Sequence, residues 1–167
     1  MIRLTGGVMV VLCSWFLGIV WGNKQKEKLK QLELLYAYLD CIYCELEYTA
    51  APLGQIASKL MKRPSFSNFN FSYDCCNTDE QQPFYQAFEA AAKNSQTQFG
   101  NEAYACLKVL ACQLGTYSLE AQLSALAICK KGIDQIIEGQ RPRIMQNIKL
   151  TRSLGVLGGL AVVILFW

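Results

Sequence analysis

The sequence predicts an all-α protein, a small bundle of about six helices between an N-terminal and a C-terminal transmembrane helix. Three observations predict it. Apolar residues in the middle recur at helical spacing, no strand-like alternation of useful length occurs, and both ends of the chain are uncharged apolar runs. Residues 154–167, LGVLGGLAVVILFW, reach about 21 Å as a helix, short of a hydrocarbon core of about 30 Å. Residues 4–22, LTGGVMVVLCSWFLGIVWG, reach about 28 Å, enough to span. A chain apolar at both ends is expected to be a membrane-anchored hairpin. Its parts are a short outer terminus (1–3), a span (4–22), a helical domain (23–153) and a second span (154–167).

Charge sets the orientation. Lys24, Lys26, Lys28 and Lys30 follow the first run with only Glu27 among them, and Arg141, Arg143, Lys149 and Arg152 precede the second with no acid. Between the clusters, residues 31–140 carry seven Lys or Arg and twelve Asp or Glu, a net of −5. Basic residues beside apolar spans stay on the cytoplasmic side, so the domain is expected there with both termini outside. The same residues suit anionic headgroups. An acidic body lacks the clustered basic face that nucleic acid requires. No small-x-small site follows the first run, which reads as an uncleaved anchor. In a reducing cytoplasm the eight cysteines are free thiols rather than a disulfide framework.

In chain order, a helix is expected from about Lys24 to Thr49, continuing out of the membrane. Leu29, Leu32, Tyr36, Leu39, Tyr43 and Leu46 form its stripe, broadened by Leu35 and Ile42. Ala51-Pro52 ends it, and Pro52 opens a short helix with Leu53, Ile56 and Leu60 on one side. Residues 63–78, RPSFSNFNFSYDCCNT, read as a loop and as the least ordered part of the chain. A third helix is expected from Thr78 or Asp79 to about Gln96, with Pro83 in its first turn and Phe84, Phe88 and Ala91 or Ala92 inward. Gly100-Asn101 breaks it. A fourth helix then buries Leu107, Leu110, Ala111 and Leu114 and ends at Gly115, since glycine enters the left-handed region freely. Ser118 caps a fifth with Leu119, Leu123, Leu126, Ile133 and Ile137 apolar. Gly139 and Pro142 interrupt it before a last basic helix, residues 143–153, feeds the second run.

The chemistry available is sparse. No histidine occurs, which removes the commonest general base and metal ligand. No phosphate-cradling glycine loop is present, and Glu45 and Glu47, two apart, point to different sides of a helix. No enzymatic activity, cofactor or metal is expected. Cys41 and Cys44 form C-x-x-C, with Cys75, Cys76, Cys106 and Cys112 further on, but zinc knuckles place such pairs on turns. A membrane-anchored cysteine or zinc module is the alternative, a generic membrane scaffold or a small pore-forming protein the others. In the apolar runs, Gly18 with Gly22 and Gly155 with Gly159 are small residues four apart, a packing face for the two spans or for neighbouring copies in a homo-oligomer.

These residues resemble the stage III sporulation protein AB family of endospore-forming bacteria. Residues 45–53, ELEYTAAPL, resemble that family's acidic-aromatic-x-x-T-P-L segment; Leu114-Gly115 with Gln122 resembles its leucine-glycine turn followed by glutamine; residues 152–159, RSLGVLGG, resemble its closing segment. One position departs, since the family's threonine before the proline is Ala51 here. A threonine there is expected to cap the second helix, and its loss to cost about 1 kcal/mol.

The resemblance implies a platform subunit of the channel between mother cell and forespore, in the mother-cell membrane around the forespore. The family is similar to the inner-membrane platform protein of type II secretion and type IV pilus systems, with a six-helix cytoplasmic domain. It further implies a cytoplasmic secretion ATPase and fellow channel subunits as partners. Glu45, Glu47, Tyr48, Pro52, Leu53, Gly115 and Gln122 are then the expected partner-binding residues.

Overall fold

The computed structural model describes the backbone of residues 2–76, 83–114 and 118–166, and the side chains of residues 24–76, 83–114, 118–144 and 146. Among the described residues there are seven helices and no strand: α1 (Ile2–Thr49), α2 (Leu53–Met61), α3 (Asn70–Cys76), α4 (Phe84–Asn94), α5 (Gln96–Phe99), α6 (Asn101–Gln113) and α7 (Leu119–Phe166). The chain forms two compact units. One is Lys30–Glu138; the other joins the part of α1 up to Leu29 with the part of α7 from Gly139. No helix of the described residues is long and apolar enough to cross a membrane. The runs 4–22 and 154–167, with Gly18, Gly22, Gly155 and Gly159, lie outside the residues whose side chains are described.

The helix expected from Lys24 is part of an unbroken α1 of 48 residues. Its buried face is Leu32, Leu35, Tyr38, Leu39, Ile42 and Leu46. The expected stripe is therefore rotated. Tyr36 and Tyr43 are only half-buried because Leu35 and Ile42 draw the inner face toward themselves, leaving the tyrosines at its edge, where a phenol keeps its polar tip near water. In α2, Pro52 is the N-cap rather than a first-turn residue, with φ −56° and ψ 134°, and Leu53, Ile56, Ala57 and Leu60 are buried.

Residues 63–76, expected as loop, build the centre of the core. Successive turns run from Arg63, whose carbonyl accepts from the Phe66 N–H at 3.0 Å and the Ser67 N–H at 3.1 Å, through Phe69 N–H to Phe66 carbonyl at 3.1 Å, into α3. Phe66, Phe69 and Phe71 point inward while most of the intervening Ser and Asn residues face water. The turn residues that suggested a loop only separate large aromatics, each able to bury 150–250 Å² or so. Tyr38 of α1 stands edge-on to all three, with ring centroids 5.5 Å from Phe66, 5.9 Å from Phe69 and 5.9 Å from Phe71. Phe71 in turn meets Phe88 of α4 at 5.2 Å and Phe99 of α5 at 5.8 Å. Burial, more than the neighbouring Cys75, pushes the Tyr38 phenol well above its usual range, with Ser72 pulling weakly the other way. It stays neutral.

The expected start of the third helix, at residues 78–79, lies outside the described residues; α4 opens at Phe84 with Pro83 as its N-cap. Its expected run to Gln96 is divided at the buried Ser95, which closes α4 with its N–H on the Ala91 carbonyl at 3.0 Å and opens α5. Ala87, Phe88, Ala91 and Ala92 are buried, whereas Phe84 is half-buried. Gly100 then turns the chain at φ 92°, a conformation that a side chain disfavours. In α6 and its C-cap, Leu107, Leu110, Ala111 and Leu114 are buried, as their spacing predicts. Gly115 lies outside the described residues.

α7 passes through Gly139 and Pro142 as one helix of 48 residues, so the expected interruption is absent. Proline removes a single N–H donor, and here Gly139, Pro142 and Glu138 are exposed, so water can reach the carbonyl that is released. Leu126, Ile133 and Ile137 are buried, joined by Ala125 and Cys129, while Leu119 is exposed and Leu123 half-buried. α6 and α7 approach closely at Gly132, where an added Cβ would stand 3.1 Å from the Cys106 Sγ.

Replacing Phe71 with alanine removes the ring shared by Tyr38, Phe88 and Phe99. It is expected to cost about 3–5 kcal/mol in chemical denaturation, a large share of a small domain's stability. A loss below about 1 kcal/mol would show that residues 63–76 are peripheral to the core after all.

Candidate functional site

Of the seven expected partner-binding residues, six are described, on α1, at the start of α2 and on α7, and Gly115 lies outside the described residues. Five of them line the corner between α1 and α2, and Gln122 sits in the first turn of α7, half-buried, with its N–H on the Ser118 carbonyl at 3.1 Å. The corner is built by how α1 ends. The Thr49 hydroxyl donates to the Glu45 carbonyl at 2.6 Å, and the Ala50 N–H reaches the Leu46 carbonyl at 3.0 Å. Ala50 itself adopts φ 46°, the left-handed conformation that usually falls to glycine after a helix. The Ala51 N–H meets the Thr49 hydroxyl at 3.4 Å, and Pro52 starts α2 with no side-chain cap. Ala51 thus precedes the N-cap position, and the cost expected from its lacking a hydroxyl does not fall on α2's cap.

Around this turn the side chains divide. Tyr48 is 85% exposed, the most exposed large hydrophobic side chain described, with Glu47, Thr49 and Pro52 exposed beside it. Leu53 is buried and offers the corner its anchorage rather than a surface. Glu45 is bound within the molecule. Its carboxylate accepts from the Lys59 ammonium at 2.7 Å and from the Arg63 guanidinium at 2.7 Å, tying α1 to α2 and to the turn beyond. The Lys59 hydrogen bond, more than the Arg63 charge, holds the Glu45 carboxyl below its usual range. The free acid at this corner is Glu47 by exposure, while Glu45 holds the corner's shape.

A second constellation escaped sequence reading. The Lys130 ammonium on α7 pairs with the Asp40 carboxylate on α1 and lies over two rings of the same helix, 4.9 Å from the Tyr43 centroid and 5.7 Å from that of Tyr36. Ammonium over an aromatic face is attracted by the ring's negative quadrupole. Contact with Asp40 raises the Lys130 pKa although burial works against it. The available signal was the pair Tyr36 and Tyr43, seven apart with Asp40 between them, which fits a polar-tolerant edge of the helix better than its centre.

Burial pushes up the thiols of Cys41, Cys75 and Cys76, and that of Cys129 to about 12. Such thiols are poor nucleophiles and poor ligands, since the thiolate is the reactive and metal-binding form. Among the described residues no group of three or more Cys, Asp or Glu is placed to hold a metal ion.

The family model described as stage III sporulation protein AB matches residues 3–167. The chain belongs to that family. A solved structure titled "Stage III sporulation protein AB" is similar to it, with a TM-score of 0.55 and 20% sequence identity, covering 71% of this chain and 97% of the other. At that identity the likeness speaks to the fold alone. No curated protein matches the sequence.

The left-handed Ala50 supplies a direct check on the corner. An L-residue pays roughly 1–2 kcal/mol for that conformation, which glycine avoids at a smaller entropic cost. Ala50→Gly is therefore expected to stabilise the bundle by several tenths to about 1 kcal/mol in chemical denaturation. A destabilisation of similar size would show that α1 ends differently.

Proposed function

We propose that the protein is a non-enzymatic membrane platform subunit of the channel between mother cell and forespore. It sits in the mother-cell membrane, with its helical bundle in the cytoplasm docking the secretion ATPase. Family membership supports the sporulation role. The membrane placement rests on the two uncharged runs at the outer ends of α1 and α7 and on the lysines and arginines beside them. In lipid, Gly18, Gly22, Gly155 and Gly159 would let the two segments, or neighbouring copies, pack closely.

The observation that carries the docking reading is Tyr48. An exposed tyrosine beside a free carboxylate, on a turn held by Glu45, Lys59 and Arg63, has the makings of a binding hot spot. Glu47 gives the corner a charge that suits a basic partner surface, and Pro52 fixes its exit angle. Movement driven by nucleotide hydrolysis in the ATPase would reach the membrane segments through α1 and α7, whose helices run without a break.

Tagged full-length protein, solubilised in detergent from sporulating cells, is expected to bring down the secretion ATPase and fellow channel subunits. Replacing Tyr48 with alanine together with Glu47→Lys is expected to cut ATPase recovery tenfold or more, since a hot-spot residue is worth about 2 kcal/mol. Channel subunits without the ATPase would indicate a generic scaffold. Undiminished ATPase recovery with the double variant would move the docking site away from the corner.

A further inference from the structure

We propose that Lys24, Lys26, Lys28 and Lys30 form a collar around α1 that binds the headgroups of anionic phospholipids. This rests on the membrane placement above and adds a lipid class to it. Each residue of an α-helix advances about 100° around the axis, so Lys24 and Lys28 share one side while Lys26 and Lys30 share another, about 160° away. Lys24, Lys26 and Lys30 are exposed and Lys28 is half-buried, with Glu27 the single acid among them.

A docked protein meets a helix from one side and calls for a one-sided stripe. Cations on opposite sides suit something that surrounds the helix, as a bilayer surrounds a segment passing through it. The spacing along the axis agrees. Lys24, Lys26 and Lys28 stand two, four and six residues past Gly22, about 3–9 Å, which matches a headgroup layer of roughly 5–8 Å on each side. Lys30 follows at about 12 Å, within reach of its flexible side chain.

Arg141 and Arg143 are also exposed cations, but they precede Leu154 by 13 and 11 residues, about 20 and 16 Å along the helix. That is farther than any of the four lysines stands from Gly22, so they serve as an internal control.

The three tryptophans, Trp15, Trp21 and Trp167, all lie in the apolar runs, so lipids with brominated chains report their neighbours by quenching. Full-length protein is reconstituted into phosphatidylcholine vesicles containing either brominated phosphatidylglycerol or brominated phosphatidylcholine. The glycerol lipid is expected to be preferred roughly fivefold or more. Lys149 and Arg152 lie 5 and 2 residues before Leu154 and also reach headgroups, so both are first changed to glutamine. In that background high salt should abolish the remaining preference, as should the combined change of Lys24, Lys26, Lys28 and Lys30 to glutamine, while Arg141→Gln with Arg143→Gln leaves it intact.

Equal quenching by the two lipids, or a preference that survives either high salt or the lysine changes, would overturn the collar and leave the membrane placement standing. Loss of the preference on changing the arginines would overturn its assignment to α1. No quenching by either lipid would overturn the membrane placement as well. The salt comparison in the Lys149→Gln, Arg152→Gln background leaves α1's four lysines unaltered and decides the matter even if the lysine variant fails to fold.

Discussion

The bundle depends on an aromatic junction in which Tyr38 of α1 and Phe71 of α3 meet edge-on. Through Phe66 and Phe69 the junction holds the turns after α2, and through Phe88 and Phe99 it holds α4 and α5. Short helices of seven, eleven and four residues are marginal by themselves, so their order comes from this shared packing. Edge-to-face rings also constrain orientation more than aliphatic contacts do. The corner that presents Tyr48 is set by the same body, because Leu53, Ile56 and Leu60 of α2 are buried and Glu45 holds Lys59 of α2 and Arg63 just beyond it.

How much of this could be read from the sequence follows from which physical signal each element carries. The long helices announce themselves by periodicity, and Leu107, Leu110, Ala111 and Leu114 are buried as their spacing predicts. Residues 63–76 mislead because Pro64, the serines and the asparagines are turn residues in composition, while Phe66, Phe69 and Phe71 between them carry the packing. Pro142 misleads in the opposite sense. Propensity marks a stop, yet a 48-residue helix outweighs one missing donor at an exposed position. At the corner, exposure separates residues that sequence alone cannot: Tyr48 is outside, Leu53 is inside, and Glu45 is engaged by two cations that come from 14 and 18 residues away.

Charge is handled differently in the body and in residues 24–30. Asp40, Glu45, Lys130 and Arg63 neutralise one another within the body, joining α1 to its neighbours through ion pairs and ring contacts. The lysines from Lys24 to Lys30 include a single acid and encircle the helix instead. Acid and base are balanced among these residues of the body, whereas residues 24–30 carry four lysines to one acid. Under the proposed function the acidic body would meet protein and the basic border lipid.

The most direct test of the membrane placement uses two thiols that the protein already presents. Cys44 and Cys112 are exposed on the bundle. In spheroplasts of a bacterial host expressing the full chain, a membrane-impermeant maleimide is predicted to leave both unlabelled until the membrane is permeabilised. The protein is also predicted to stay in the membrane pellet after an alkaline carbonate wash. Labelling of Cys44 and Cys112 in intact spheroplasts, or release of the protein by the wash, would contradict a cytoplasmic body held by two membrane segments.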